Sequence, residues 1–206
     1  MTQVSLSEMV NALGAKPTLV AFPTDTVPAL AARPEQAALI FEAKQRPPEK
    51  PLILMGASLD DLLPFISGSA AELAVWRTCV ETHWPGQLTL VLPESDRTPQ
   101  NLNPTRTGTL GIRVPNHPIA LQLLAQTGPL ATTSANLSGQ PPLTTAQEIS
   151  RTFPAALTLA DHCYVPGTSS DKALSQFHSQ PSGLPSTVAK WTGTDWEILR
   201  QGKIHL

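Results

Sequence analysis

The stretch LTLVLPESDRTPQNLNPTRTGTLGIRV, residues 88–114, holds two apolar segments separated by a polar loop. Leu88–Leu92 and Thr109–Val114 are short, aliphatic and bounded by Pro or Gly, which predicts two strands. Strands that follow one another without a helix between them favour antiparallel pairing. The stretch therefore predicts an α/β protein of the α+β type, with a mixed, twisted β-sheet flanked by helices rather than a purely parallel sheet.

Helices and strands alternate irregularly along the rest of the chain. Capping residues and prolines predict helices that begin near Ser5, Pro34, Ser58, Ser69, Pro118 and Thr144. Apolar runs predict further strands at 18–22, 52–55, 129–132, 157–159, 187–189 and 196–199. Pro166 to Pro185 is rich in Gly and Ser and is expected to be a mobile loop. No linker splits the chain into halves, so residues 1–206 are expected to form a single domain.

Composition excludes several classes of protein. The 206 residues carry a net charge of −2, whereas proteins that grip a nucleic-acid backbone usually have a basic excess. Cys79 and Cys163 have no cysteine close to them in sequence, which favours free thiols over a disulfide or a zinc site. The histidines show no metal-ligand spacing, so no protein-bound metal is expected. Neither a secretory signal nor a membrane-spanning run is apparent, and we expect a soluble, cytoplasmic protein.

Two short segments indicate an anion-binding site. Lys44-Gln45-Arg46 places two cations at the end of a helical run, and Lys50 follows just before a strand. Such charges can hold phosphate oxygens, although a solvated helix C-terminus is the alternative. Ser134-Ala135-Asn136 places a hydroxyl and a carboxamide in a loop at a strand end, where ligands often bind in α/β proteins. Simple turn chemistry is the alternative for this segment.

Two more charged residues stand at strand ends. Asp25, in the polar turn Pro23–Thr26, could cap the turn or position a cationic group of a ligand. Arg113, at the polar end of a strand, could extend to water or clamp a carboxylate with its bidentate fork. Walker, dinucleotide-binding and nucleophile-elbow motifs are absent. The residues by themselves predict an anion-binding α/β site built from strand-end loops.

Taken together, seven sets of segments resemble, in order, the YrdC-like family of threonylcarbamoyl-AMP synthases, in the short form without an extra C-terminal domain. They are FPTDTV (22–27), KQRP with PLIL (44–47, 51–54), WPGQLT (84–89), GIRVP with HP (111–115, 117–118), SANLSG (134–139), GLPSTV (183–188) and ILRQG (198–202). The resemblance implies a YrdC/RibB-like fold and a nucleotidyltransferase that makes threonylcarbamoyl-AMP and pyrophosphate from L-threonine, bicarbonate or CO2, and ATP. A downstream threonylcarbamoyl transferase complex would use the product to modify tRNA.

The same resemblance assigns residues to the substrates. The family's catalytic signature falls on Lys44, Arg46, Ser134 and Asn136. These four would also bind ATP, which Mg2+ accompanies, together with Lys50, Thr109, Pro142 and Arg200. Contacts to L-threonine fall on Thr26, Arg113, Thr132 and Ser186. Lys44 and Arg46 would stabilise the departing pyrophosphate, and Arg113 would hold the amino-acid carboxylate.

Other functions are left open by the sequence. Pro28-Ala29 stands where the family usually has Tyr-Gly, beside the expected threonine pocket, so a divergent paralogue without threonine specificity is one alternative. An RNA-binding YrdC-like module is another, although the net charge of −2 and the lack of an aromatic–basic stripe count against it. A relative that uses carbamoyl phosphate normally lies inside a much larger protein. A weak contact with tRNA is left open.

Overall fold

The computed structural model describes residues 3–160, 163 and 182–206. Its α-helices are α1 (Leu6–Ala15), α2 (Ala38–Lys44), α3 (Leu59–Leu62), α4 (Ala70–His83), α5 (Pro118–Thr127) and α6 (Ala146–Thr152). Its strands are β1 (Leu19–Phe22), β2 (Ala29–Ala32), β3 (Ile53–Met55), β4 (Leu88–Pro93), β5 (Thr109–Arg113), β6 (Leu130–Ser134), β7 (Ala156–Thr158), β8 (Thr187–Trp191) and β9 (Trp196–Arg200). Short 3-10 turns occupy Pro34–Gln36, Leu63–Phe65 and Gln100–Leu102.

All the described strands belong to one sheet with the order β7-β1-β2-β6-β3-β5-β4-β8-β9. The pairs β1/β7, β3/β5 and β4/β8 are parallel, and the other neighbouring pairs are antiparallel. The two strands of residues 88–114 pair antiparallel, with Leu90 opposite Ile112. The predicted mixed sheet is therefore confirmed.

Strand β2 was not predicted from the sequence. Its residues, Ala-Leu-Ala-Ala, have little β-propensity, because alanine is depleted in strands. The strand forms because it lies between β1 and β6 and pairs antiparallel with both. Every residue of β1 and β2 is buried, as expected for strands covered on both faces. Burial and pairing thus override the local preference, and residues 23–28 become the connection between two adjacent strands.

The helix ends follow the predicted signals closely. Capping boxes start α1 at Ser5, α3 at Ser58, α4 at Ser69 and α6 at Thr145. The helix predicted from Pro34 instead begins with a 3-10 turn, and α2 starts at Ala38. Most of the loop expected over Pro166 to Pro185 lies outside the described residues.

Two expectations from composition can be compared with the structure. Cys79 and Cys163 are free thiols, as predicted, and burial raises the pKa of Cys79 to about 11, so little of it is thiolate near pH 7. Among the described residues, no helix is both long enough and apolar enough to cross a membrane.

Candidate functional site

A cavity of about 140 Å³ opens among the ends of several strands. Three arginines and four hydroxyl residues that the sequence analysis selected line it: Arg46, Arg113, Arg200, Thr26, Thr132, Ser134 and Ser186. No carboxylate lies among the described lining residues. This volume is well below the roughly 300–1,000 Å³ of pockets for drug-sized ligands, so the enclosed space suits an amino acid or a phosphate group, and a whole nucleotide would extend out of it.

Strand register brings these residues together from distant parts of the chain. Ala29 at the start of β2 lies opposite Ser134 at the end of β6. Thr132 of β6 lies opposite Ile53 of β3, and the Thr132 hydroxyl donates a hydrogen bond to the Ile53 carbonyl at 3.0 Å. On β5, Arg113 lies opposite Met55 of β3 and is two residues from Gly111, which lies opposite Ile53, so its side chain is on the face of the sheet that lines the cavity.

Arg113 is the most constrained cation of the site, with only 3% of its surface exposed. Its guanidinium donates to the Gly86 carbonyl at 3.0 Å, to Thr26 Oγ1 at 2.9 Å and to Asp25 Oδ1 at 2.6 Å. The alternative in which Arg113 extends to water is therefore wrong. Burial lowers the pKa of Arg113, and the charge of Asp25 opposes that shift, so the guanidinium remains charged.

The turn that carries Thr26 is shaped by its own side chains. The Thr24 hydroxyl donates to the Val27 carbonyl at 2.7 Å and accepts the Thr26 amide at 3.2 Å. Such hydroxyl-to-backbone bonds fix tight turns. Asp25 neither caps the turn nor lines the cavity; its carboxylate faces Arg113 instead.

Lys44 lies behind the cavity and is buried, with 1% of its surface exposed. Its ammonium donates to the Ser134 carbonyl and to Asn136 Oδ1, the latter at 3.3 Å. Ser134 Oγ also donates to Asn136 Oδ1 at 2.5 Å. Burial, helped by the charge of nearby Arg46, lowers the pKa of Lys44 to about 7. A solvated helix C-terminus is thus the wrong description of Lys44, and the Lys44, Ser134 and Asn136 side chains form one polar cluster.

The backbone at the end of α2 separates the directions of Lys44 and Arg46. Gln45 adopts the left-handed conformation, with φ 49°, and the Arg46 amide donates to the Phe41 carbonyl, which is the Schellman arrangement. The Arg46 side chain then turns to the cavity and donates to the carbonyls of Lys50 at 2.8 Å and Pro51 at 2.9 Å. Backbone carbonyls therefore hold both cations. The Ser134 carbonyl accepts from Lys44, and the carbonyls of Lys50 and Pro51 accept from Arg46.

Ser186 and Arg200 close another side of the cavity. Arg200 donates to the Ser186 carbonyl at 3.0 Å and to Ser186 Oγ at 3.2 Å. Ser186 Oγ also shares a hydrogen bond of 2.8 Å with the buried Thr89 hydroxyl. Burial and the charge of Arg113 lower the pKa of Arg200. Both arginines line the same cavity.

Five predicted ATP residues do not line the cavity: Lys44 and Asn136, which belong to the polar cluster with Ser134, and Lys50, Thr109 and Pro142. Lys50 is exposed and offers Arg46 only its carbonyl. Thr109 begins β5, at the opposite end of that strand from Arg113, and Pro142 is half-buried in the loop after β6.

Apolar lining residues were missed by the sequence analysis. They form an apolar wall of the cavity, which consists of Val27, Ala29, Ile53 and Met55. Ile53 and Met55 are two apart in β3 and therefore share a face of the sheet, a signal that the alternation of a strand carries. No group of three or more His, Cys, Asp or Glu that could hold a metal ion occurs in the described part of the chain.

A family model described as "Telomere recombination", which covers Sua5, YciO and YrdC sequences, matches residues 15–202. The threonylcarbamoyl-AMP synthase of Klebsiella pneumoniae is 37% identical over 147 residues, which are 69% of this chain and 76% of that protein. The threonylcarbamoyl-AMP synthase of Bacillus subtilis is 42% identical over 138 residues, which are 64% of this chain and only 38% of that protein.

The fold is also similar to that of a solved structure with a bound ligand. Sua5 of P. abyssi, crystallised in complex with L-threonine, superposes with a TM-score of 0.78 at 31% sequence identity. The match covers 96% of this chain and 55% of that chain. The chain thus spans little more than half of this structural relative.

Proposed function

The chain belongs to the Sua5/YciO/YrdC family, and from that membership and the geometry of the cavity we propose that it is an L-threonylcarbamoyladenylate synthase. This enzyme would be a nucleotidyltransferase that converts L-threonine, bicarbonate or CO2, and ATP into threonylcarbamoyl-AMP and pyrophosphate. We propose further that residues 1–206 act as one YrdC-like domain.

The observation that carries the proposal is the division of positive charge around one small cavity. Arg113 stands at one side with Thr26, Thr132 and Ser186, which together suit the carboxylate, amine and hydroxyl of an amino acid. Arg46 lines the cavity near the buried Lys44, where a triphosphate would place its charge. The described lining holds no carboxylate that would repel either anion.

The reaction fits residues that position and neutralise rather than a strong side-chain base. The threonine amine attacks CO2, a C–N bond forms and a proton leaves, which gives a carbamate. A carbamate oxygen then attacks the α-phosphorus of ATP; the new P–O bond forms as the bond to the β-phosphate oxygen breaks, and pyrophosphate departs. Arg113 would hold the carboxylate, while Lys44 and Arg46 would stabilise the charge of the leaving pyrophosphate.

We assign the remaining predicted residues to the nucleotide and the amino acid. Ser134 and Asn136 would hold the position of Lys44 and contact phosphate, and Arg200 would contact ATP beside Ser186. Lys50, Thr109 and Pro142 stay proposed ATP contacts. Mg2+ would arrive with ATP, take its ligands from phosphate oxygens and water, and neutralise charge on the phosphates, because the described cavity lining offers it no carboxylate.

The product would serve a separate transferase complex that modifies tRNA. We place the reaction in the cytoplasm, in keeping with the two free cysteines. A protein that bound RNA without catalysis would not need arginine and lysine fixed around a cavity of amino-acid size, and this favours the synthase over an RNA-binding module.

Pyrophosphate release from ATP tests the proposal when each other substrate is omitted in turn. We expect release only when L-threonine, bicarbonate and Mg2+ are all present. Release that continues without threonine would contradict the proposal. Equal release with other small amino acids would instead indicate a paralogue without threonine specificity.

Substitution of the two cations tests their assignment. We expect Lys44→Ala and Arg46→Ala each to lower kcat at least about 100-fold, because Arg46 lines the cavity where the leaving group would lie and Lys44 is buried close behind it. Lys16→Ala, at an exposed position next to α1, is the matched control and should keep full activity. Circular dichroism should show the fold intact in all three variants; global unfolding of Lys44→Ala or Arg46→Ala would instead mean that the cation is structural.

A further inference from the structure

A buried carboxylate stands directly behind the arginine that faces the amino-acid side of the cavity. Asp25 is 1% exposed, and its Oδ1 accepts from Arg113 at 2.6 Å. Arg113 lines the cavity, whereas Asp25 does not. Asp25 therefore acts on the cavity through its neighbours, and among the described residues Arg113 is the one that forms an ion pair with it.

Among the described residues, the Asp25 carboxylate accepts a hydrogen bond from Arg113 alone. Its other oxygen, Oδ2, has no hydrogen-bond partner within the described ranges of the chain. The Gln87 amide donates to the Asp25 backbone carbonyl at 2.9 Å rather than to the carboxylate. Burial lowers the pKa of nearby His117 to about 4, against the opposing charge of Asp25, so His117 is neutral near pH 7 and adds no countercharge.

The hydrogen bonds of Arg113 leave part of its fork free for a ligand. A guanidinium has five N–H groups, and three of them are used by Gly86, Thr26 and Asp25. Those three bonds come from different directions and hold a long side chain that would otherwise populate several rotamers. One N–H on each terminal nitrogen remains, so two donors are left for the oxygens of a carboxylate.

We propose that Asp25 is a positioning residue for the amino-acid substrate: it fixes the Arg113 guanidinium so that the two remaining N–H groups meet the substrate carboxylate. The proposal rests on the proposed function, because it takes an amino acid as the ligand of Arg113. Asp25 also supplies the charge that keeps a buried guanidinium compensated between turnovers.

Binding of two ligands that differ only at the carboxylate tests this role. L-Threoninol replaces the carboxylate of L-threonine by an alcohol, so the ratio of the two affinities reports on the contact with Arg113. We expect Asp25→Asn to weaken L-threonine binding about 10- to 100-fold in calorimetry. Arg113 loses its charged partner, and its guanidinium is then no longer held in position for the carboxylate of L-threonine. L-Threoninol and ATP binding should change no more than about twofold. Asp60→Asn, at an exposed aspartate of α3, is the matched control and should leave both ligands unaffected.

A purely structural role of Asp25 predicts a different pattern of binding for L-threonine and L-threoninol. If Asp25→Asn weakened both ligands equally, or neither, Asp25 would not act through the carboxylate contact and the proposal would be overturned. Should Asp25→Asn not fold, Asp25→Glu keeps the charge but displaces it by one methylene, and the threonine-to-threoninol ratio should still fall; an unchanged ratio would contradict the proposal. A wild-type protein that bound neither ligand would instead overturn the proposed function.

Discussion

Lys44 is a buried amine whose contacts within the described structure are neutral oxygens. The Ser134 carbonyl and Asn136 Oδ1 accept from two of its three N–H groups, but neither supplies negative charge. Desolvation therefore favours the neutral form, and the pKa of Lys44 falls to about 7. A polyphosphate that binds beside Arg46 would bring the missing charge and raise that pKa again.

Proton uptake on nucleotide binding follows from this pKa. Near pH 8 most free molecules carry a neutral Lys44, because pH 8 lies above the lowered pKa of about 7. Bound ATP favours the ammonium, so binding should take up close to one proton at pH 8 and about half a proton at pH 7. Calorimetry in buffers of different ionisation enthalpy measures this number. Lys44→Met should abolish the uptake and Lys16→Met should not; uptake that persists in Lys44→Met would assign the proton to another group.

The sequence identified which side chains carry charge but not how deeply they lie. Lys44 meets Ser134 across 90 positions of sequence, and Arg113 meets Asp25 across 88. Neither pairing leaves a local signal, since the helix end at Lys44 has the same pattern as any solvated C-terminus. Burial of these cations is a result of tertiary packing, which local residue patterns do not contain.

At the scale of elements, two short pieces of backbone set the site. The left-handed Gln45 ends α2 and separates Lys44 from Arg46, and the Thr24–Val27 turn enters β2. The end of the helical run at Lys44-Gln45-Arg46 was predicted, in keeping with Pro47 and Pro48, which follow it and cannot continue a helix, and the polar turn Pro23–Thr26 was also recognised. Strand β2 was not predicted from the sequence, because Ala-Leu-Ala-Ala becomes a strand only through pairing with β1 and β6 on its two edges.

Gln45 should be replaceable by glycine with a gain in stability. An L-residue in the left-handed region is strained, and glycine is the residue that this position of a helix end prefers. We expect Gln45→Gly to raise the free energy of unfolding by about 1 kcal/mol, and Gln45→Val to lower it by about 1–2 kcal/mol because branching at Cβ adds to the strain. Urea unfolding of the three proteins checks the order; a Gly variant less stable than wild type would show that the Gln45 side chain matters more than its backbone.

At the scale of the whole molecule, the sheet gathers residues that are far apart in sequence. Thr26, Arg46, Arg113, Ser134 and Ser186 belong to five separate segments and line one cavity. The order of these segments resembles a family, and that resemblance was enough to predict the fold and to select seven of the lining residues. The apolar wall of Val27, Ala29, Ile53 and Met55 was not selected, because strand register decides which neighbours of a motif face the cavity.

The measurement that tests the account most directly is the mass of the product formed from ATP, L-threonine and [13C]bicarbonate. If one cavity joins the amino acid to the nucleotide through a carbamate, the product is a mixed anhydride of AMP and N-carboxylated threonine that carries the 13C label, and pyrophosphate forms in equal amount. A threonyl adenylate without the label, or ATP consumption with no labelled adenylate, would contradict the account.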